Sequence, residues 1–286
     1  MSLDDTKVIG RKNFWLYSQG KGYDLTHPPS PASPPIFPRI QLETTSGPVA
    51  IDPSKTALVI IDLQNYFLAP ELGRPSDSVG IRVADKLLHH VIPSCRIASI
   101  PIVWLGWGLT EEDIDEMPPT IIKGFAADTN FVGNKKIGPL GSRIGTVTLE
   151  DGTEIEGGRV LMRGQWNSRF WSPLDKEVRK NDIHVSKNRL SGFWGGTDIE
   201  AALTFRGIKT LVFAGCNVDQ CVGGSIQDAC AKGWDCLLLS DGTATSSPAF
   251  AHKGIEYNTE IGWGFVLTCE QLADGVRGIQ KSPVGT

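Results

Sequence analysis

Thr56-Ala57-Leu58-Val59-Ile60-Ile61-Asp62 is an unbroken apolar run that ends on a carboxylate. A strand with one wet face alternates apolar and polar residues, whereas a strand covered on both faces need not. The run therefore reads as an interior strand of a parallel sheet, with helices above and below it. Downstream, Ile81, Val83, Leu87, Leu88, Val91, Ile92 and Ile97 recur at helical spacing over 79–98, and Ile102-Val103-Trp104-Leu105 reads as a second strand. A helix-like stretch from Phe170 to Lys180 leads to the strand Ile183-His184-Val185-Ser186-Lys187. A helix over 197–206 leads to Thr210-Leu211-Val212-Phe213-Ala214, and another after Cys221 leads to Cys236-Leu237-Leu238-Leu239-Ser240. The last helix starts near Pro248 and leads to Phe265-Val266-Leu267. Repeated strand-helix order predicts an α/β fold: an open, mainly parallel sheet between two helical layers.

Two regions break the rhythm. Residues 109–169 contain Thr146-Val147-Thr148-Leu149-Glu150-Asp151-Gly152-Thr153-Glu154-Ile155, where Asp-Gly between β-rich runs predicts a hairpin. This stretch reads as an insertion that forms either a lid or a subunit contact, with Trp166 and Trp171 serving either role. Residues 1–50 hold His27-Pro28-Pro29-Ser30-Pro31-Ala32-Ser33-Pro34-Pro35, too proline-rich for a helix or an interior strand. They read as an extended arm, with residues 51–286 as the domain proper.

The chain has 286 residues and a formal net charge of −4, with 40% hydrophobic residues. That supports a large core and gives no footprint for nucleic acid or an anionic membrane. No apolar run approaches the ~20 residues of a membrane span, and the first residues hold no leader-like core. Cys95, Cys216, Cys221, Cys230, Cys236 and Cys269 form no Cys-x-x-Cys pair, which suits free thiols and a cytoplasmic location.

Ligands of such sheets bind at the carboxyl ends of the strands. Three reactive groups fall there: Asp62, Lys187 and Cys221. Cys221 lies where a buried strand turns into a helix, so the helix N-terminus is expected to favour a thiolate, and Lys187 to lower the thiol pKa further. Asp62 is placed to take the thiol proton. Each residue also has a plainer reading. Asp62 would cap a turn, Lys187 would sit in solvent, and Cys221 would fill a gap. The pocket walls are read from neighbours of these strand ends: Gln64, Asn65, Trp104, Trp107 and Phe193, with Trp194 closing the site.

The segments Ala57–Asn65, Lys187–Phe193 and Leu211–Val222 resemble the isochorismatase-like cysteine hydrolases over roughly residues 54 to 272. The resemblance implies a three-layer, Rossmann-like fold on a six-stranded, mainly parallel sheet. It implies Asp62 as base, Lys187 as the positioning cation and Cys221 as nucleophile. It further implies a cis peptide at Cys216–Asn217 and an oxyanion hole from the N–H groups of Asn217 and Cys221. Isochorismatases proper, which cleave a vinyl ether, lack the cysteine, so cleavage of a C–N bond in a small amide, ureide or carbamoyl compound through a thioester is the expectation. Vinyl-ether hydrolysis and a non-catalytic binding role are the alternatives. Likeness to ureidoacrylate and carbamoyl amidohydrolases runs through Trp104–Trp107, Leu190–Phe193 and Ile255–Gly264. Leu190 departs from the tyrosine that holds substrate in the ureidoacrylate enzymes. His27, His89, His90, His184 and His252 do not fall where the metal ligands of family nicotinamidases sit, so no metal and no other cofactor is expected. Dimers or tetramers are implied by the resemblance.

Overall fold

A computed structural model of the chain describes residues 6–126, 131–132, 135–136 and 138–281. Residues 1–5 and part of the 109–169 insertion lie outside the described residues. Five strands open the chain: β1 (Lys7–Gly10), β2 (Phe14–Ser18), β3 (Gly22–Asp24), β4 (Ile40–Leu42) and β5 (Val49–Ile51). They form one sheet in the order β1-β2-β3-β5-β4. This corrects the arm expected over 1–50. The prolines occupy only the link between β3 and β4, and Leu25, Ile40, Leu42, Val49 and Ile51 are fully buried around it. A proline-rich link excludes strands from itself but not from the residues that flank it.

β6 (Thr56–Ile61) follows, then α1 (Asn65–Leu68) and α2 (Val79–Lys86), which continues through a π-helical turn over Leu87–Val91 into α3 (Ile92–Ile97) and β7 (Ile102–Trp107). The 109–169 region carries α4 (Glu111–Asp115), α5 (Pro119–Ala126), β8 (Phe131–Val132), β9 (Lys135–Lys136), β10 (Thr146–Thr148) and β11 (Glu154–Glu156). β10 and β11 pair antiparallel through the expected Asp151-Gly152 turn, where the Leu149 N–H donates to the Thr153 carbonyl at 2.8 Å. The short α6 (Ser172–Asp175), β12 (Ile183–Lys187), α7 (Ile199–Phe205), β13 (Thr210–Cys216) and α8 (Gly223–Ala231) come next. β14 (Asp235–Ala244), α9 (Ala249–Asn258), β15 (Phe265–Leu267) and α10 (Cys269–Arg277) complete the chain.

The six-stranded sheet runs β12-β7-β6-β13-β14-β15, with every pairing parallel. Every residue of β6, β7 and β13 is buried, as the unbroken apolar runs require. Alternate residues of a strand point to opposite faces. Val59, Ile61, Val103, Leu105 and Trp107 face the layer that holds α7 and α8. Leu58, Ile60, Ile102 and Trp104 face the layer that holds α2, α3 and α10. A Thr268–Gln271 capping box starts α10, and the Ser78 hydroxyl caps α2. The N-terminal sheet is latched to the start of β14. Asp235, 3% exposed, accepts from Trp15 Nε1 at 2.7 Å and lies 2.6 Å from His27 Nε2 and 3.2 Å from the Thr210 hydroxyl.

Candidate active site

β6, β12 and β13 carry the three reactive side chains to the same rim of the sheet. Asp62 follows the last residue of β6 with φ +54°, a left-handed conformation that aspartate tolerates better than a branched residue. β12 buries alternate residues, Ile183, Val185 and Lys187, so its pleat turns the Lys187 side chain inward. β13 ends at Cys216, whose peptide bond to Asn217 is cis, and the chain then winds through the π-helical turn Val218–Val222 that bears Cys221. The neighbouring Gly215 has φ +121°, and a Cβ there would lie 2.0 Å from the Ile61 carbonyl oxygen. Only glycine lets β13 pass so close to β6.

Lys187 joins these ends. Its Nζ lies 3.0 Å from Asp62 Oδ2, 3.4 Å from Cys221 Sγ and 3.1 Å from the Arg189 carbonyl oxygen. It also sits 3.9 Å from the ring centroid of Trp107, on the face where an aromatic ring attracts cations. The ammonium is fully buried, and Asp62 is 1% exposed. Among the described residues, the Asp62 carboxyl is met by this ammonium, by the Cys221 thiol and by the Trp107 backbone. The Cys216 thiol donates to the Asp62 backbone carbonyl at 3.3 Å, packing the floor beneath.

Burial lifts the Asp62 carboxyl above its usual range, against the opposing pull of Lys187. Burial also pushes the Cys221 thiol up to about 12; Lys187 opposes that rise and the Asp62 charge adds to it. The expected low thiol pKa is therefore overturned. A charge taken from water into an enclosed site is disfavoured, and burial outweighs the pull of Lys187. Burial thus favours the neutral thiol, with the Lys187 ammonium opposing the rise at both groups.

Asp62 and Cys221 open on a cavity of about 710 Å³ whose floor also includes Cys216 and Asn217, with Lys187 buried behind them. Leu190 lines it. The five expected wall residues Gln64, Asn65, Trp104, Trp107 and Phe193 do not. Gln64 is spent as a clamp: its Nε2 donates to the carbonyls of Trp107 at 2.7 Å and Ser168 at 2.6 Å, and its Oε1 accepts from the Trp107 N–H at 2.9 Å. Asn65 Nδ2 donates to the Trp166 carbonyl at 2.9 Å. Trp104 points to the opposite face of the sheet, packs on Phe170 and donates from Nε1 to Asp182 at 2.8 Å. Phe193 is fully buried against Phe213 and Trp234. Trp107 touches the lysine rather than the cavity. Trp166 and Trp171 are half-buried in the core of their own chain and brace the loop after β6. Trp194, 42% exposed, lies under the Arg189 guanidinium.

The other walls come from residues the sequence reading did not name. Tyr66, Phe67 and Arg74 line the cavity from the α1 loop, and Thr120, Ile121 and Phe125 from α5. Gln220, Thr245 and Ser246 complete the rim. Among the described residues no group of three or more His, Cys, Asp or Glu gathers as a metal site, and no helix is long and apolar enough to cross a membrane.

Residues 56–270 match the isochorismatase domain, and the chain belongs to the isochorismatase family. It is 26% identical over 249 residues to the ureidoacrylate amidohydrolase RutB of Caulobacter segnis, covering 85% of this chain and 94% of that one. Its fold matches a cysteine hydrolase from Pseudomonas syringae with TM-score 0.57 and 16% identity, over 86% of this chain and 99% of the other. It also matches N-carbamoylsarcosine amidase from Thermoplasma acidophilum with TM-score 0.53 and 20% identity, over 76% of this chain and 97% of that enzyme.

Proposed function

We propose that the protein is a cysteine amidohydrolase that cleaves a C–N bond of a small amide, ureide or carbamoyl compound. The observation that carries this reading is the Lys187 ammonium in contact with both Asp62 and Cys221 at the base of the cavity. The family membership and the amide-cleaving names of its relatives point the same way.

The chemistry follows from the resting protonation states. Asp62 takes the thiol proton as sulfur attacks the carbonyl carbon, so no free thiolate need accumulate. The C–S bond forms while the carbonyl π electrons move to oxygen. That oxyanion is received by the N–H groups of Asn217 and Cys221, a contribution of roughly 3 kcal/mol per well-aligned donor. Collapse breaks the C–N bond, and the nitrogen leaves with the proton that Asp62 holds. Water then attacks the thioester, gives its proton to Asp62 and releases the acid, and the thiol is restored. Lys187 keeps Asp62 ionised and orients it through the cycle. No cofactor enters these steps.

The test is an ammonia-release screen over small amides, ureides and carbamoyl compounds, run beside Cys221→Ala. Turnover by the wild type and none by the variant is the expected result. Wild-type turnover retained by Cys221→Ala would overturn the cysteine mechanism, and release of pyruvate from isochorismate would move the reaction to the vinyl ether.

A further inference from the structure

The charges of Asp62 and Lys187 balance each other at the cavity floor. Arg74 has no such balance. It lines the same cavity, and among the described residues no carboxylate pairs with it. Its position is built rather than incidental. The Pro70–Leu72 turn ends on Gly73 in a left-handed conformation, which turns the chain back toward α1. Arg74 Nε then donates to the Tyr66 carbonyl at 3.1 Å, and the guanidinium carbon sits 5.4 Å from the Tyr66 ring centroid. Tyr66 is 2% exposed and stacks edge-on against Phe67, so the ring beneath the cation is fixed. Nε is used on the backbone and the guanidinium also meets the Tyr66 hydroxyl, and the remaining N–H groups of its two terminal nitrogens are the donors left for a ligand. The remaining polar wall, Gln220, Thr245 and Ser246, is uncharged, and Phe67, Ile121 and Phe125 make the apolar part. The cavity thus has a net positive charge, set apart from the nucleophile and next to a greasy wall.

We infer that Arg74 is a substrate-carboxylate subsite, and that the substrate is an anionic amide or ureide: an N-carbamoyl or N-acyl acid whose carboxylate pairs with Arg74, whose apolar body lies on Phe67, Ile121 and Phe125, and whose scissile carbonyl reaches Cys221. This rests on the hydrolase reading. A planar guanidinium fork matches a carboxylate through two parallel hydrogen bonds, which a lysine at the same place would not reproduce.

Two matched probes test it: N-carbamoyl-L-leucine and isopentylurea, which share the ureide and the branched apolar group and differ in the carboxylate. Ammonia release is measured with the wild type, Arg74→Gln and Arg74→Lys. The wild type is expected to favour the acid, and Arg74→Gln to cut the acid-over-neutral ratio of kcat/KM by about 10- to 100-fold, mainly through KM. Arg74→Lys is expected to restore part of that ratio. In parallel, calorimetry measures binding of the acid to Cys221→Ala, with and without Arg74→Gln. Binding that depends on Arg74 without any turnover would keep the subsite and remove the hydrolase reading. Turnover with no preference for the acid, or an acid preference untouched by Arg74→Gln, would overturn the subsite and leave the hydrolase. Neither binding nor turnover of the acid would overturn the subsite as well.

Discussion

Lys187 is a fully buried cation, which is tolerable because one carboxylate, one ring face, one carbonyl and one sulfur surround it. Its influence on Asp62 sets the pH dependence. A carboxyl raised by burial is protonated at a higher pH than usual, and a protonated Asp62 cannot accept the thiol proton. Turnover is therefore expected to fall as pH drops through that raised value. In Lys187→Met the ammonium that holds Asp62 ionised is gone, so the acid limb is expected to move to higher pH and kcat to fall by roughly 10²–10⁴, the usual scale of base catalysis. A pH–rate profile of both proteins measures it; an unmoved limb would remove Lys187 from this role. The thiol at about 12 has its own consequence. Alkylation of Cys221 by iodoacetamide near neutral pH is expected to be no faster than that of a free cysteine, followed by mass spectrometry of the labelled peptide. Rapid labelling would mean that the sulfur is already ionised. These three residues could be picked out from the sequence because each lies at, or within a few residues of, the carboxyl end of a strand. Their protonation could not, because it depends on enclosure and on a neighbour 159 positions away from Cys221 along the chain.

At the scale of elements, strand parity decides which side chains meet. Trp104 and Trp107 both belong to β7, but an odd separation puts them on opposite faces, so only Trp107 reaches the lysine. The sequence alone contains that parity, and the two tryptophans read as a matched pair of pocket walls only when it is ignored. Gln64 is a different case. Its residue type fits a substrate contact, and only the closeness of Trp107 and Ser168 shows that its amide is already used. The clamp also needs room: a Cβ at Gly106 would lie 2.9 Å from the Gln64 amide. β13 lies close against β6 at Gly215. Gly215→Ala is expected to push these strands apart, lowering stability by about 3 kcal/mol or more and removing turnover together. Thermal unfolding and activity of the variant check it, and a fold and rate both unchanged would show that the close approach can relax. The α5 and α1 walls stayed hidden because loops from distant parts of the chain carry them, and no periodicity links Arg74 to Phe125.

Over the whole molecule, the layered sheet was readable from alternating strands and helices, while the N-terminal sheet was masked by its proline link. Besides its apolar core, that sheet is attached through Asp235, which gathers Trp15, His27 and Thr210. Asp235→Ala leaves an indole N–H and an imidazole without their acceptor. It is expected to destabilise the chain by about 3 kcal/mol and to speed proteolysis within residues 7–51, read by limited digestion. Digestion at the wild-type rate would show that the apolar contacts of β4 and β5 suffice. The latch lies where β14 begins, and the reactive groups lie where β6, β12 and β13 end, so the two regions occupy opposite rims of the sheet. The proposed catalytic lysine nevertheless has a weak mooring. β12 is the outermost strand and is hydrogen-bonded along one side only, to β7. Border strands fray before interior ones. Mild denaturant would therefore silence the enzyme while most of its architecture still stood, because the ammonium would drift off before the aspartate and the sulfur had lost their places.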